Sequence, residues 1–532
     1  VSIAWYDCGG DHLPQIVKDY VGKQAQAEQL FCTPSADTRV WSGAWGIERD
    51  ALVDALIQMA HRWSLPMSMA SLGALRDART AVVVGGQQAG LFGGPLMTLI
   101  KAAHVVHRAR IRTATTGRVH VPVFWIAGDD HDWDEVHHMY GVAQDRLTKV
   151  VLQRSSDDVR KSVSHIVPTR DAWDACIAAM ANTLPESEFR SSVVQWMHDM
   201  AADVQHRPPS LVAVCARVLH HFFGAQGLIV LDAHDRALRT LQAPLFSALI
   251  AHNEAVVSAI HRGTHAVSAS GYDVQVPLQP SCMHVFVAHE EVRTLLFAHG
   301  ADVCRRDGTC VMTRDALMHV AQHAPWLLSP QALTRPIVQQ FALPVAEVVV
   351  GGSELAYWAQ LAPLFALFGL RMPDVVVRPS KTLIEPAVSR IAARWGYTVA
   401  DVYARGVALR DDLCGTADAL HRVEAMMHGV RAQYAAMRDA LADIQTGLLD
   451  IAATNERKVI EQLAFLQHKV THALQVKHEA TLRQWDRVML SIMPDGVLQE
   501  RIHHVVTMMA KYGNDAITEA FVALADRTPM HV

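Results

Sequence analysis

The 532-residue chain has no CxxC pair, no strong excess of either charge and no uninterrupted apolar run of the roughly 18 residues that a membrane helix needs. Its eight cysteines stand at 8, 32, 176, 215, 282, 304, 310 and 414. That density excludes a disulfide scaffold and points to a reducing cytoplasm. No Cys–His pair can be read from the spacing, so a catalytic thiol is not expected. With 48 basic against 53 acidic side chains the formal charge is −5, and no nucleic-acid partner is expected. The opening VSIAWYDCGGDHLP lacks a basic start followed by an apolar run. It does not read as a signal peptide, and no membrane partner is expected. GxGxxG at dinucleotide spacing, the GKS or GKT of a Walker A loop, and HExxH are all missing. The 30 histidines are mostly isolated, and the total is not read as metal binding.

What is present is a folded composition: half the residues are apolar and 19% are charged. A chain of this length can bury a large core and divides into more than one domain. Residues 1–80 read as helical and irregular, with a loop over PSADTRVWSGAW (34–45). AVVV (81–84) is a short buried strand, and Pro95 fits the first turn of a helix running to about Arg110. VPVFWIAG (121–128) is a second strand. Strand, glycine turn, helix, strand is the βαβ pattern of a parallel sheet. GLIVLDAHD (227–235) supplies a third such strand, followed by a long helix to roughly His261. YDVQV, MHVFVAH and VRTLLFAH, within 271–315, alternate as antiparallel strands do. PVAEVVVGGSELAYWAQLAPLFALFG (344–369) repeats the opening device, and PDVVVRPSKTLIE (373–385) adds a strand with a polar exit.

The pattern changes after about residue 417. Leu420, Val423, Met427, Val430, Tyr434, Met437, Leu441, Ile444, Leu448 and Ile451 alternate spacings of three and four, a heptad stripe. A second helix runs from about 455 to Met493, with Leu463, Leu466 and Val470 on one stripe and Pro494 as its stop. The two helices read as an antiparallel pair, a dimer arm or a helical domain packed on the core.

Ligands of open α/β sheets sit beyond the carboxyl ends of the strands. Three exits here are polar: GGQQAGLFGG, GDDHDWDE and GGSE. Gly86, Gly90, Gly93 and Gly94 allow close approach or positive φ, and the amides opening the next helix can hold a phosphate or carboxylate. Gln87 and Gln88 offer donors and acceptors without charge. A tight turn that merely joins sheet to helix is the competing reading. Gly351, Gly352, Ser353 and Glu354 form the second such exit and are expected to border the same cleft.

The acidic segment offers carboxylates for Mg²⁺ or imidazoles for Zn²⁺, but its spacing fixes no coordination set. No metal ligand is assigned. Asp130, His131 and Asp132 are the acid–base or amine-orienting candidates, and His131 and Glu135 are spaced to share a helix face. Asp232, His234 and Asp235 either complete the cleft or, as favoured here, cap the following helix. Arg335, near a strand start, and Arg378, Ser380 and Lys381 in RPSKT are candidates for binding carboxylate or phosphate.

GGQQAGLFGGPLMTLIKAAHVVHRAR followed by VPVFWIAGDDHDWDEVHH resembles the bacillithiol biosynthesis cysteine-adding enzymes. So do GLIVLDAHDRALRTLQAPLF, GYDVQV, the block LLSPQALTRPIVQQFALPVAEVVVGGSELAYWAQLAPLFALFGLRMPDVVVRPSKTLIE, the helical C-terminal portion and QERIHHVVTMMAKYGN. The blocks run in order along almost the whole chain. The family commonly has TGQQ where this chain has Gly85 before Gly86, and GEDHD where it has Asp129.

The resemblance implies an α/β fold: a Rossmann-like parallel-sheet core resembling class I aminoacyl-tRNA synthetases and nucleotidyltransferases, with inserted connecting segments and a C-terminal coiled coil. It places the core at 1–416 with insertions at roughly 145–225 and 262–335, the coiled coil at 417–510, and a tail at 511–532 returning to the core. It implies a cytoplasmic homodimer joined through the C-terminal helices. The expected reaction joins L-cysteine to the amine of glucosaminyl-malate, the last step of bacillithiol biosynthesis. A free carboxylate is a poor acyl donor, so ATP or another adenine nucleotide is expected to activate it as an acyl adenylate or acyl phosphate. A metal-dependent hydrolase built on 129–138 and a noncatalytic thiol-pathway scaffold are the alternatives.

Overall fold

The structure, a computed structural model, describes all residues except 1–3, 11–12, 35–38, 42–44, 159, 205, 280, 290–291, 415–416 and 528–532. Most of the expected 34–45 loop therefore lies outside the described residues. Two compact units form, one of residues 3–382 and 500–532, the other of residues 383–499.

The first unit is built on a five-stranded parallel sheet: β1 (Ala81–Gln87), β2 (His120–Ile126), β3 (Ile229–Asp232), β4 (Val345–Val350) and β5 (Asp374–Val377). The strand order is β5-β4-β1-β2-β3. Strands covered on both faces have no polar side to show, which is why AVVV and VVV read as unbroken β-branched runs. Val82, Val83 and Val84 are fully buried. Helix α1 (Leu96–Thr116) returns the chain from β1 to β2. It outruns the expected Arg110 and stops at Gly117, whose φ of +67° suits an αL C-cap. The last helix, Asn514–Arg527, packs on α1, and Ala525 O receives His107 Nδ1 at 3.0 Å. Burial pairs Arg108 on α1 with Glu347 on β4 through two contacts of 2.6 Å.

From β1 the chain builds outward through β2 and β3, then crosses back to lay β4 on the other side of β1. The β1/β4 boundary is the topological switch point, where the loops at the carboxyl ends diverge and leave a crevice.

A second, antiparallel sheet occupies residues 282–330, with Cys282–His289 and Val292–His299 at its centre. YDVQV does not join it. Val276 N–H instead donates to the Gln360 side chain at 3.3 Å, and Val276 O accepts from Gln360 Nε2 at 3.1 Å, so one amide stands in for a strand partner. The long helix expected to His261 is three pieces, Arg236–Leu241, Ala243–Ala251 and Asn253–Ala269. Pro244 opens the second piece, where its missing N–H costs nothing. Arg335 begins the helix Arg335–Ala342 rather than a strand, with Pro336 in its first turn. PDVVVRPSKTLIE is two strands, Asp374–Val377 and Lys381–Ile384, broken at Pro379. No single helix is long and apolar enough to cross a membrane among the described residues.

The second unit is helical. Ala417–Ile444 and Gly447–Ile492 fold back on each other as an antiparallel hairpin, with Arg438 Nη2 3.2 Å from Glu456 and Gln467 Nε2 3.4 Å from Glu424. The longer helix is about 70 Å at 1.5 Å per residue. It ends before Pro494, as expected. Its base is fixed by Tyr403, whose hydroxyl donates to Ile492 O at 2.8 Å, and by Ser491, which donates to Glu385 at 2.7 Å.

Candidate active site

The exits of β1, β2 and β4 open on one chamber of about 570 Å³, within the few hundred to about 1,000 Å³ typical of small-molecule sites. Gly86, Gln87 and Gln88 reach it from β1, Asp130 and His131 from β2, and Gly351, Gly352, Ser353 and Glu354 from β4. Gly86 permits a close crossing, because a Cβ there would lie 2.7 Å from the carbonyl oxygen of Trp125 on β2.

Two polar junctions hold the exits together. In the first, Gln88 Nε2 donates to Asp130 Oδ2 at 2.8 Å, and the His131 backbone N–H donates to Asp130 Oδ1 at 2.8 Å. Arg293, from the antiparallel sheet, lies 3.4 Å from Asp130 Oδ1 with its guanidinium 3.7 Å over the Phe286 ring. Burial pushes the Asp130 pKa up, but bonds from His131, the charge of Arg293 and the Gln88 amide outweigh it and hold the carboxyl well below its ordinary range. Arg293 Nη1 also lies 3.1 Å from His131 Nδ1. The same Nδ1 lies 3.4 Å from Asp130 Oδ1, so the ring edge stands between the carboxylate and the guanidinium.

In the second junction the Lys101 ammonium, 1% exposed, donates to Gly86 O at 2.5 Å and pairs with Glu354. Glu354 Oε2 accepts the Gly351 N–H at 2.7 Å, capping helix Gly352–Trp358. Arg335 Nη2 donates to the Tyr357 hydroxyl at 2.7 Å and lies 4.0 Å from Glu354. Burial lowers the Lys101 pKa against the pull of Glu354. Burial also pushes Glu354 up, but Lys101 and Arg335 prevail and its pKa falls.

Other expected site residues are placed elsewhere. Gly90, Gly93 and Gly94 are buried outside the chamber wall. Gly93 has φ +89°, and a Cβ there would sit 2.8 Å from Val218, so the turn serves close packing. The expected anion cradle at the start of α1 is covered: Leu96 N–H donates to His503 O at 2.9 Å. Asp132 is exposed and off the chamber wall, preceding the short helix Trp133–Val136, which also leaves His131 and Glu135 without a shared helical face. Arg378 does line the chamber, yet it is clamped by buried Glu500 at 2.7 and 2.9 Å. Ser380 bonds the same carboxylate at 3.2 Å, and Lys381 Nζ turns to Asp7 at 2.7 Å, neither of them on the chamber wall. Asp235 caps helix Arg236–Leu241, as favoured, accepting from the N–H groups of Ala237 and Leu238.

Lys101, Trp125 and Arg293 belong to the site and escaped the sequence reading. Lys101 carried a signal, a lone cation inside the apolar run PLMTLIKAA. Arg293 carried none, since an arginine on an alternating strand reads as solvent-facing. Around the chamber five cationic side chains, Lys101, Arg293, Arg335, Arg378 and Arg501, face three carboxylates, Asp129, Asp130 and Glu354. Trp125 also borders the chamber, and its buried indole Nε1 has no hydrogen-bond partner among the described residues. A ligand with negative charge suits the excess of cations. Among the described residues no group of three or more His, Cys, Asp and Glu side chains is placed to hold a metal ion.

Comparison with known proteins matches residues 9–379 to "Bacillithiol biosynthesis BshC, N-terminal Rossmann-like domain" and residues 381–531 to "Bacillithiol biosynthesis BshC, C-terminal coiled-coil domain". A relative from Geobacillus thermodenitrificans named "Putative cysteine ligase BshC" is 33% identical over 479 residues, covering 88% of this chain and 87% of the relative. A protein of the same name from Geobacillus kaustophilus is 29% identical over 97% of each chain, and one from Oceanobacillus iheyensis is 28% identical over 89% and 88%. With both domains matched in order and nearly end to end, this chain belongs to the BshC family of bacillithiol biosynthesis.

Proposed function

We propose that this protein is a cysteine ligase that joins L-cysteine to the amine of glucosaminyl-malate through an amide bond, the last step of bacillithiol biosynthesis. The observation that carries this reading is the meeting of the three polar strand exits around one cation-rich chamber. Both substrates are carboxylates, and the acceptor adds an amine. Arg335 suits a malate carboxylate, while Asp130 suits the ammonium.

Asp130 stays ionised at neutral pH, so it holds and orients the amine and is a weak base. His131 takes the proton from the attacking ammonium, once the substrate displaces Arg293 from Nδ1. Gln88 fixes the Asp130 carboxylate from the side opposite Arg293. Lys101 and Glu354 hold the β1 and β4 exits at one spacing, so the two substrates meet in a fixed geometry. An adenine nucleotide would supply the activation that makes cysteine an acyl donor. The cation-rich wall fits such an anionic ligand, with Arg501 the chamber cation not engaged by malate, Asp130, Glu354 or Glu500. The reaction uses a nucleotide and a free thiol, so we assign it to the cytoplasm.

The helical hairpin leaves Met437, Ile444, Ile451, Phe465 and Leu466 exposed, and we assign that surface to a second copy of the chain.

The test is the complete reaction with purified protein, cysteine, glucosaminyl-malate and ATP, followed by mass detection of thiol and nucleotide products. The expected result is the amide-linked thiol together with AMP or ADP. Full turnover after rigorous removal of nucleotide overturns the activation step. Absence of any amide product overturns the ligase reading.

A further inference from the structure

Two cysteines face each other on the antiparallel sheet, away from the chamber. Strands Asp302–Cys304 and Cys310–Thr313 pair with Cys310 opposite Cys304. Arg305 N–H donates to Thr309 O at 2.8 Å and closes the hairpin between them. One step from that bonded pair, residues 304 and 310 form a non-hydrogen-bonded pair, the position where antiparallel Cα atoms come closest, about 4.5 Å. Their Sγ atoms are 3.1 Å apart. A disulfide needs about 2.05 Å, so roughly one ångström of side-chain movement closes the gap.

The two thiols differ in access. Cys310 is exposed on an edge strand, and Cys304 is 2% exposed. The hairpin tip between them carries the exposed cations Arg305 and Arg306 against one acid, Asp307, which favours approach of anionic reagents. Phe297 stands between Cys304 and the next sheet cysteine, Cys282, so exchange stops at the pair.

We propose that Cys304 and Cys310 form a thiol–disulfide exchange site that is oxidised by low-molecular-weight disulfides, with Cys310 as the attacking thiol and Cys304 as the resolving one. The Cys310 thiolate attacks one sulfur of a disulfide RSSR. A Cys310–SR bond forms, the S–S bond of RSSR breaks and one RS⁻ leaves. Cys304, as thiolate, then attacks the Cys310 sulfur, forming the 304–310 bond and expelling the second RS⁻. Two electrons pass from the protein thiols to RSSR, and the two protein protons go to the released thiolates. The order follows from access: Cys310 meets solvent on the edge strand, and Cys304 lies buried behind it. The contact with Cys310 also pushes the Cys304 thiol up to about 11. The inference does not rest on the ligase reading.

The test exposes the reduced full-length protein to oxidised glutathione, quenches with acid, alkylates the remaining thiols and maps tryptic peptides by mass. Trypsin cuts after Arg305 and Arg306, so the link joins two peptides into one species. The wild type should lose two hydrogens at this pair, reversibly with dithiothreitol. Cys304→Ser should retain glutathione on Cys310, and Cys310→Ser should leave Cys304 free for alkylation. The proposal is overturned if both wild-type cysteines are alkylated after exposure, if glutathione persists on Cys310 in the wild type, if either cysteine links elsewhere, or if Cys310→Ser carries glutathione on Cys304.

Discussion

Gln88 and Asp130, on the exits of neighbouring strands, are joined by one hydrogen bond of 2.8 Å from the amide nitrogen to the carboxylate. That bond fixes the carboxylate while Arg293 approaches its other oxygen and reaches His131. The acid–base group of the proposed reaction is thus held from three separate chain segments.

Replacing His131 with alanine should lower turnover by about 10²–10⁴-fold, the usual contribution of a positioned acid–base group. The ring is half-buried and its loss leaves no buried cavity, so the melting curve should stay close to wild type. Steady-state product formation alongside thermal unfolding checks both statements. Unchanged turnover removes His131 from the mechanism.

Lys101→Met should destabilise the first unit by about 1–3 kcal/mol, because half-buried Glu354 loses its closest counter-charge while Arg335 stays at 4.0 Å. Adding Glu354→Gln should recover part of that loss, since the charge left without its partner is gone as well. Urea unfolding of the two single variants and the double variant measures the coupling. Strictly additive losses would show that the pair does not act as a unit.

Asp232 is buried, and burial pushes its carboxyl up to about 7 from an unfolded value near 3.8, against a bond from the His234 N–H. Between those values the folded state keeps a proton that the unfolded state has lost. Its contribution to stability is therefore present below about pH 4, declines by about 1.4 kcal/mol per pH unit above it, and is gone above about pH 7. His104 and His504, held neutral at about 3 by burial, tilt the other way and lose stability as pH falls below their unfolded value. Asp232→Asn isolates the carboxyl: its stability relative to wild type should rise from pH 5 to pH 7 and then level off. Chemical unfolding across that range reads the difference, and a flat difference contradicts the assignment.

Ile451→Lys combined with Phe465→Lys places two charges on the exposed apolar surface of the helical hairpin, where these side chains are 64% and 58% accessible. The expected outcome is a shift from dimer to monomer in light scattering, with helix content by circular dichroism unchanged. A variant that remains dimeric moves the interface elsewhere.

The parallel strands were legible because buried strands write themselves as β-branched runs, and the exits because glycines and polar residues interrupt them. Tertiary context overrode local pattern at YDVQV, where the Gln360 side chain satisfies the backbone and no strand partner is needed. Gly90, Gly93 and Gly94 read as a ligand loop because the residue type that admits a phosphate also admits a packed turn. Lys381 and Ser380 read as anion binders because Asp7 and Glu500, their partners, lie far off in sequence.

The sequence by itself determined the strand and helix periods, the glycine turns, the two long C-terminal helices with their proline stop, and, through long motif blocks in order, the family. These are local signals, set by side-chain spacing along one segment. Only the tertiary structure decided which charges share the chamber. Lys101 meets Glu354, and Arg293 meets Asp130, because β4 crosses back to β1 and the antiparallel sheet folds over the exits. Such pairings depend on strand order and on what burial leaves unneutralised, and neither is written in any single stretch of residues.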